Sequence, residues 1–240
     1  MRMVLNRLRE ALDIHLSENQ MGFRRGRNTV MAVFVARRLV EEARRIRPGE
    51  YPVHLVFVDY IKAFDTVFWS ALWDIMALDR VPKPLIAVIR KLYEGSTVAV
   101  RTSYGSTPPI PLQSGVWQGC VLSPYLFIIV VDYVMRQARA RFAGIVGRQP
   151  GLLIANEACH GGVGFDYRLG ELIYADDTTL IEHTEHIQLW LDCLALEARA
   201  VGLEISKKTE AMTVGVVAPP PPLLLLDGTR VPYTERFKLW

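Results

Sequence analysis

Two apolar segments that lead into aspartate constrain the fold of this chain more than any other feature. Residues 53–58 form an apolar run that predicts a strand, and Asp59 follows it directly. Residues 172–181 place Asp176 and Asp177 between two further apolar runs. This second pattern predicts a hairpin whose two-residue turn is Asp176-Asp177. The sequence therefore predicts carboxylates at the ends of two strands.

The position of these carboxylates indicates their chemistry. An aspartate at the end of an apolar strand is costly to desolvate unless the site uses its charge. Hard divalent cations such as Mg²⁺ bind carboxylate oxygens, and two-metal sites hold the attacking and leaving oxygens of a phosphoryl transfer. Asp59 and Asp176 are candidate ligands for such a site if one sheet contains both strands. Taken alone, the Asp-Asp pair is equally consistent with a plain polar turn, since such turns favour Asp.

Five sequence blocks, in order, resemble the successive motifs of reverse transcriptases, most closely those of non-LTR retrotransposons, the LINE-like type. The blocks are QMGFRRGRNT, VDYIKAFDTV, SGVWQGCVLSP, YADD and GLEISKKTEAM, which fall within residues 20–213. Five ordered blocks are far more specific than any single short motif. The resemblance also indicates a fragment of a longer retroelement protein, because no thumb, endonuclease domain or zinc knuckle is visible in the sequence.

The resemblance implies roles for the residues around the aspartates. Asp59 and Asp176 would bind two Mg²⁺ ions, with Mn²⁺ as the alternative ion, and Asp177 would be their partner in the hairpin. Tyr60 would contribute to the metal site only through its backbone carbonyl. Phe64 matches the aromatic gate of the family, a bulky ring under the sugar that excludes a 2′-hydroxyl. This gate would favour deoxynucleotides over ribonucleotides.

The SGVWQG block is similar to the loop that contacts the incoming nucleotide. Gln118 corresponds to the contacting glutamine, and Gly115 and Gly119 would let the backbone approach the base and sugar. Trp117 departs from the family pattern, because relatives commonly have arginine at this position. The resemblance therefore implies that one cationic contact is missing here.

Three basic residues match cationic positions of the family. Arg24 and Arg27 correspond to arginines that would contact the triphosphate or the template backbone. Lys208 falls near the lysine that would lie beside the pyrophosphate leaving group, where a cation stabilises developing charge.

The order of predicted elements, together with the resemblance, predicts the α+β class: a polymerase palm, with an antiparallel sheet backed by helices on one face, and partial fingers. We expect a partial fingers region over residues 1–52 and the palm with the remaining fingers segments over 53–217. Residues 218–240 would be a linker and the start of the primer-grip hairpin.

Helical periodicity and local signals add detail to this layout. Apolar residues at three- and four-residue spacing, with proline and glycine signals, predict helices. Among them are helices after a cap at Asn28 or Thr29, from Pro84 to near Gly95, from Ser123-Pro124, and over 187–201. Residues 143–170 are glycine-rich and predict an irregular insertion or long loop.

Composition restricts the partners and the compartment. The chain has 28 Lys and Arg against 25 Asp and Glu, a net charge of +3 that permits nucleic-acid binding but does not require it. Three cysteines without paired spacing indicate neither disulfides nor a cysteine zinc site, so a reducing, intracellular compartment is expected. The resemblance adds the nucleus as a candidate location. Apolar runs are too short to span a bilayer, and we expect no membrane association.

These observations lead to one main function and two alternatives. The main hypothesis is an RNA-directed DNA polymerase that uses an RNA template, a nucleic-acid primer and dNTPs. An RNA-copying RNA polymerase is an alternative, but Phe64 argues against it because such an enzyme must accept a 2′-hydroxyl. The third hypothesis is a truncated, catalytically inactive retroelement remnant with residual RNA binding. The oligomeric state stays open.

Overall fold

The structure, a computed structural model, contains seven helices and ten strands within the residues that it describes, 1–44, 52–155, 166–215 and 220–235. The helices are α1 Arg2–Leu12, α2 Thr29–Arg44, α3 Ala63–Thr66, α4 Trp69–Leu78, α5 Lys83–Tyr93, α6 Ser123–Val146 and α7 Ile187–Ala200. The strands are β1 Val53–Val58, β2 Thr97–Val98, β3 Arg101–Thr102, β4 Gly105–Ser106, β5 Ile110–Pro111, β6 Leu152–Ala155, β7 Asp166–Leu169, β8 Glu171–Tyr174, β9 Asp177–His183 and β10 Glu210–Val214. Residues 216–219 and 236–240, which include part of the predicted linker and primer grip, lie outside the described residues.

A four-stranded antiparallel sheet is the centre of the fold. Its strand order is β10-β1-β9-β8, so β1 lies between β10 and β9. All six residues of β1 are buried, because helices cover both faces of the sheet. Val56 and Val58 pack with α6 and α7 on one face, whereas Leu55 and Phe57 pack with α2 on the other. Because successive side chains of a strand point to opposite faces, a strand covered on both faces needs apolar residues at nearly every position.

Helices α6 and α7 provide the predicted backing of the sheet. Most of α6 is buried from Ser123 to Met135. In α7, the Trp190 ring is fully buried and meets the Phe142 ring edge-on, with centroids 5.6 Å apart. Its Nε1 donates a hydrogen bond of 2.9 Å to the carbonyl of Gly170, which directly precedes β8. The predicted helices from Ser123-Pro124 and over 187–201 are therefore confirmed.

Helix α2 adds a layer that the sequence did not predict. Asn28 caps the helix, because its Oδ1 accepts a 2.9 Å hydrogen bond from the Met31 backbone N–H. Ala36, Leu39 and Ala43 of α2 then pack on the face of the sheet opposite α6 and α7. The prediction of backing on one face is thus extended by a helix on the second face. Within the described ranges, no helix combines the length and apolarity needed to cross a bilayer.

The prediction of an irregular loop over residues 143–170 is wrong for its described part. Helix α6 continues to Val146, and β6 and β7 pair in antiparallel register. The buried Glu182 of β9 holds this hairpin to the sheet: its carboxylate accepts hydrogen bonds from Arg148 at 2.9 and 3.0 Å and from the Gly151 N–H at 2.8 Å. Four-residue strands have too little alternation to be recognised from sequence. Residues 156–165 lie outside the described residues.

Buried His54 connects the sheet to the segment over 220–235. Its Nε2 lies 2.9 Å from the Thr184 hydroxyl, and its Nδ1 lies 3.2 Å from the Thr213 hydroxyl and 3.4 Å from the Tyr233 hydroxyl. Tyr233 also pairs with Ala211 of β10 through an isolated parallel bridge. The side chain of a single β1 residue therefore contacts three parts of the chain that are distant in sequence.

Acidification is expected to destabilise the fold through His54. Burial, and to a smaller extent the charge of His183, lower the pKa of His54 from 6.5 to about 4. Between pH 6.5 and 4 the His54 side chain is protonated in the unfolded chain but neutral in the folded chain. The stability that neutral His54 contributes is therefore fully present above pH 6.5 and decreases as the pH falls towards 4. We expect the free energy of unfolding to be lower by about 2 kcal/mol at pH 5 than at pH 8 from this residue alone.

The measurement is urea denaturation at pH 8 and pH 5 for the wild type and for His54→Gln, whose amide keeps hydrogen-bonding groups but does not titrate. The loss of stability between the two pH values should be smaller in the variant by about the same 2 kcal/mol. Equal losses in the two proteins would show that His54 is not the responsible group.

Candidate active site

The three aspartates lie at one end of the central sheet. Asp59 directly follows β1, and the pairing of Val58 with Thr178 places Asp59 level with Asp177 at the start of β9. Asp176 is in the turn that joins β8 to β9. All three side chains are exposed to solvent. Strand pairing thus brings together the carboxylates that the sequence singled out.

The hairpin turn differs by one residue from the prediction. Tyr174 pairs with Asp177, so the two turn residues are Ala175 and Asp176, and Asp177 is the first residue of β9. Ala175 has a φ of 60°, the positive value that a tight hairpin turn requires at its first central position. The predicted turn at Asp176-Asp177 is therefore wrong. Asp176 lies in the turn, whereas Asp177 belongs to the strand and faces β1.

The carboxylates of Asp59 and Asp176 lie close enough to Asp177 to affect its charge. Partial desolvation raises the pKa of Asp177 above its usual range, although the residue is exposed on one side, and the negative charges of Asp176 and Asp59 raise it further. Mutual repulsion of this kind is relieved by a bound cation. Within the described ranges, no group of three or more His, Cys, Asp or Glu side chains forms a ready metal cage. The donor set still suits Mg²⁺, which is usually held by one or two carboxylates, substrate phosphates and water.

Tyr60 is buried beside this site. Its backbone pairs with Ile205 through an isolated antiparallel bridge. Burial raises the pKa of its hydroxyl, and the charge of Asp176 raises it further, although the Thr178 hydroxyl acts in the opposite direction. The ring of Tyr60 is therefore a neutral packing element close to Asp176. A role of its carbonyl in metal binding stays a prediction.

The GLEISKKTEAM block, residues 202–212, lies directly against Asp59. The Asp59 carbonyl accepts a 2.7 Å hydrogen bond from the Ser206 N–H, and the Asp59 N–H donates to the Thr209 hydroxyl at 3.2 Å. These contacts place Lys208, whose side chain is exposed, between two residues that bind the Asp59 backbone. The neighbouring Lys207 instead pairs with Asp227 at 3.5 Å. Thr209 was missed by sequence reasoning, because nothing local marks a threonine as the partner of a residue 150 positions away.

The glycine loop is attached to the segment that contains Phe64. The Gly115 N–H donates to the Val67 carbonyl at 2.8 Å, and the Val116 N–H donates to the Phe64 carbonyl at 2.6 Å. Gly115 has a φ of 84°, and a Cβ atom built on it would lie 2.7 Å from the Asp65 carbonyl oxygen. The backbone at Gly115 thus lies very close to the segment that contains Phe64. Its approach to a base and sugar stays a prediction.

Gln118 and Gly119 occupy the exposed part of this loop. The Gln118 Nε2 donates a 3.1 Å hydrogen bond to the Asp65 carboxylate. Gly119 has a φ of 79° with open space around it. The structure therefore places both residues where a ligand can reach them, and their contact with a nucleotide stays a prediction.

The Phe64 ring is half-buried. It stacks on the buried Phe127 ring of α6, with centroids 4.5 Å apart and planes at 17°. One face of the ring is therefore fixed against the core. Lys62, just before α3, adopts a left-handed φ of 45°, and this turn carries the chain from the Asp59 end of the sheet into the helix that presents Phe64.

Trp117, the departure from the family pattern, packs inward. Its ring stacks on the buried Tyr93 ring, with centroids 4.7 Å apart and planes at 26°. Trp69 and Trp73 meet the same tyrosine edge-on, at 5.6 and 5.8 Å. The residue that replaces the expected arginine thus anchors the glycine loop to α4 and α5 by aromatic packing.

The two predicted fingers arginines have partners within their own region. Arg24 is 7% exposed, and its guanidinium donates to the carbonyls of Ser17 at 2.6 Å and Asp13 at 2.8 Å. Arg27 forms an ion pair with Glu18, and its hydrogen bond is the main reason that the pKa of Glu18 is lowered. The structure does not bring these guanidiniums to the carboxylates of the sheet end. The sequence identifies both residues as cations, but it does not show that they bind carbonyl groups and a carboxylate within residues 13–18.

Comparisons with known proteins agree with this geometry. A model of the reverse transcriptase (RNA-dependent DNA polymerase) family matches residues 1–234. The Retrovirus-related Pol polyprotein from type-1 retrotransposable element R2 of Popillia japonica is 26% identical over 99% of this chain and 32% of that protein. The probable RNA-directed DNA polymerase from transposon BS of Drosophila melanogaster is 30% identical over 53% of this chain and 14% of that protein. The chain thus spans 32% or less of the length of these two relatives.

A solved structure supports the fold class. The apo telomerase from Candida tropicalis, truncated from its C-terminal domain, superposes with a TM-score of 0.57 at 14% identity, covering 94% of this chain and 41% of that chain. At this identity the likeness concerns the fold alone, and it confirms the predicted α+β palm-like architecture. Because the family model matches nearly the whole chain and the relatives are retroelement proteins, this chain belongs to the reverse transcriptase family, as a domain of the non-LTR retrotransposon type.

Proposed function

We propose that the chain is the palm and partial fingers of an RNA-directed DNA polymerase that transfers nucleotides from dNTPs to the 3′-hydroxyl of a primer on an RNA template. The observation that carries the proposal is the pairing of β1 with β9, which sets Asp59 level with Asp177 beside Asp176. Three interacting carboxylates at a solvent-open sheet end suit a phosphoryl transfer that needs positioning and charge neutralisation more than a protein nucleophile.

In this proposal Asp59 and Asp176 hold two Mg²⁺ ions, or Mn²⁺, together with the phosphates of the substrate. The ions would neutralise the developing charge and lower the pKa of the primer hydroxyl. Asp177, whose pKa is raised by its two neighbours, adds negative charge next to the ligands. The backbone carbonyl of Tyr60 completes the proposed ligand set.

The surrounding residues would orient the substrate. The Phe64 ring, fixed from behind by Phe127, would lie under the sugar, and Gln118 and Gly119 would contact the nucleotide from the adjoining loop. Lys208, held next to Asp59 by the contacts of Ser206 and Thr209, would stabilise the leaving pyrophosphate.

The fingers arginines receive different roles in this proposal. We propose that Arg27 contacts the triphosphate or the template backbone. To do so, its guanidinium would leave Glu18 and bind a phosphate. Arg24 is more fully enclosed, so we propose that it acts indirectly by holding the loop over residues 13–20. We assign residues 1–52 to partial fingers, 53–217 to the palm with further fingers segments, and 218–240 to a linker and the start of the primer grip.

Primer extension tests the proposal. The purified chain is incubated with an RNA template, a DNA primer, Mg²⁺ and dNTPs, and extension is compared with that of a variant lacking the Asp176 carboxylate. Extension that depends on Asp176 is expected. Absence of extension by the folded wild type would favour the inactive-remnant hypothesis.

The gate role of Phe64 gives a separate expected result. Phe64→Ala should reduce the preference for dNTP over rNTP by about 10- to 100-fold, because the steric barrier to a 2′-hydroxyl is removed. Phe64→Tyr is the control, since it retains the ring and its stacking on Phe127. Single-nucleotide incorporation is measured for matched dNTP and rNTP, and an unchanged ratio of kcat/KM values in a folded Phe64→Ala protein would remove the gate assignment.

A further inference from the structure

The turn that contains Asp176 is held from outside the hairpin by a segment of the fingers region. The Met21 N–H donates to the Ile173 carbonyl at 2.8 Å, and the Ile173 N–H donates to the Asn19 carbonyl at 3.0 Å. Gln20 thereby pairs with Ile173 of β8 in a parallel bridge. Residues 19–22 therefore extend along the free edge of β8 and reach the turn.

The side chain of Gln20 makes the contact with the turn itself. It is completely buried. Its Oε1 accepts hydrogen bonds from the Gly22 N–H at 2.8 Å and from the Ala175 N–H at 3.2 Å. Because both partners are backbone donors, the oxygen must face them, and the orientation of the amide group is determined.

The amide nitrogen of Gln20 also indicates that the oxygen is the group that matters here. Gln20 Nε2 is buried and has no hydrogen-bond partner among the described residues. Leaving a buried donor unpaired costs about 1–3 kcal/mol. A methionine of similar length would avoid that cost, so packing alone does not account for glutamine here. The acceptor oxygen is what this side chain supplies to the turn.

The backbone on both sides of the contact has little freedom. A Cβ atom on Gly22 would lie 2.5 Å from the Ala175 nitrogen, so the fingers segment touches the turn directly. Ala175 is held at a φ of 60°, which costs about 1–2 kcal/mol for a residue other than glycine. A hydrogen bond to the Ala175 N–H offsets part of that strain. Loss of the bond would let the turn relax and move the next residue, Asp176.

We propose that Gln20 is a positioning residue: its Oε1 fixes the left-handed conformation of Ala175 and thereby sets the position of the Asp176 carboxylate. The inference rests on the proposed polymerase function for its catalytic consequence, but the structural contact stands independently. Arg24 supports the same contact, because its guanidinium holds the carbonyls of Asp13 and Ser17 in the loop that leads to Gln20.

Two variants of the full chain separate the acceptor from the volume of the side chain. Gln20→Met has a similar length but no strong acceptor. Gln20→Glu, a neutral carboxylic acid in this fully buried position beside Asp176, keeps a carbonyl oxygen for both N–H donors. We expect Gln20→Met to lower kcat for primer extension by about 10- to 100-fold, as small misplacements of catalytic groups do. The KM for dNTP should stay within about twofold, because substrate contacts are not removed. Gln20→Glu should restore most of kcat.

Hydrogen exchange provides a readout that does not depend on activity. In Gln20→Met, amide exchange in a peptide spanning residues 174–177 should accelerate by at least about tenfold, since the bond to the Ala175 N–H is lost. Exchange in α7 is the internal reference and should be the same in all three proteins. Gln20→Glu should show the slow exchange of the wild type.

The outcomes distinguish this inference from the proposed function. Unchanged exchange at the turn in a folded Gln20→Met protein, or a Gln20→Glu protein that behaves like Gln20→Met in exchange and kcat, would overturn the positioning role. Unchanged kcat in Gln20→Met would overturn it as well. If the wild type extends no primer, the proposed function fails, and the exchange measurement still decides whether Gln20 holds the turn.

Discussion

Replacing Asp176 with asparagine is expected to reduce the rate of primer extension by at least about 1,000-fold while leaving the fold and RNA binding intact. The amide has the size of the carboxylate but lacks its charge, so the proposed metal ligand at the hairpin turn is lost. The exposed position of Asp176 means that no core contact changes. Asparagine is also common in tight turns, so the hairpin itself should persist.

The measurement compares extension rates of the wild type, Asp176→Asn and Asp74→Asn on the same RNA template and primer. Asp74 is an exposed carboxylate on α4, so its variant has the same change of net charge at a different place. Template binding is measured in parallel by fluorescence anisotropy. If Asp176→Asn extended primers at a rate within tenfold of Asp74→Asn, the sheet end would not be the catalytic centre.

Local sequence patterns were sufficient to predict the strand before Asp59 and the main helices that pack around the sheet. The mostly apolar run before Asp59 predicts β1 because a strand covered on both faces needs apolar residues at nearly every position, and His54 is the exception. Periodic apolar residues predict α6 and α7, and proline and glycine mark the limits of α5. These features depend on neighbours within a few residues, so one sequence contains enough information to place them.

Contacts between distant segments could not be predicted in the same way. The turn at Ala175-Asp176 follows from the register of β8 and β9. Both faces of these strands are buried, so the apolar pattern alone does not show which residue points to which face. The contact of Gln20 with Ala175 spans 155 positions. Charged residues show the same limit. The sequence identifies Arg24 as a cation, but it does not show that carbonyl groups enclose the guanidinium. The roles of these residues depend on tertiary packing.

Gly115 lies so close to the Asp65 backbone that a side chain at this position is expected to destabilise the fold and to reduce primer extension. Gly115→Ala is expected to lower the free energy of unfolding by about 3 kcal/mol or more, since both conformation and space are unfavourable. A Cβ atom would lie 2.7 to 2.8 Å from three Asp65 backbone atoms. The loop would have to shift, and it would weaken the hydrogen bond of 2.7 Å from Trp69 Nε1 to the Gly115 carbonyl. Since the same loop contains Gln118, primer extension should fall by about 100-fold.

Gly95→Ala is the matched control for this variant, because the two glycines differ in surroundings but little in backbone conformation. Gly95 has a φ of 71° against 84° for Gly115, and a Cβ atom there would have open space. It should therefore show only the conformational cost of about 1 kcal/mol and extend primers normally. Chemical denaturation and primer extension of both variants provide the test. If Gly115→Ala lost no more stability than Gly95→Ala, the loop could move away from Asp65 at little cost. The close contact with the Phe64 segment would then not be what positions Gln118.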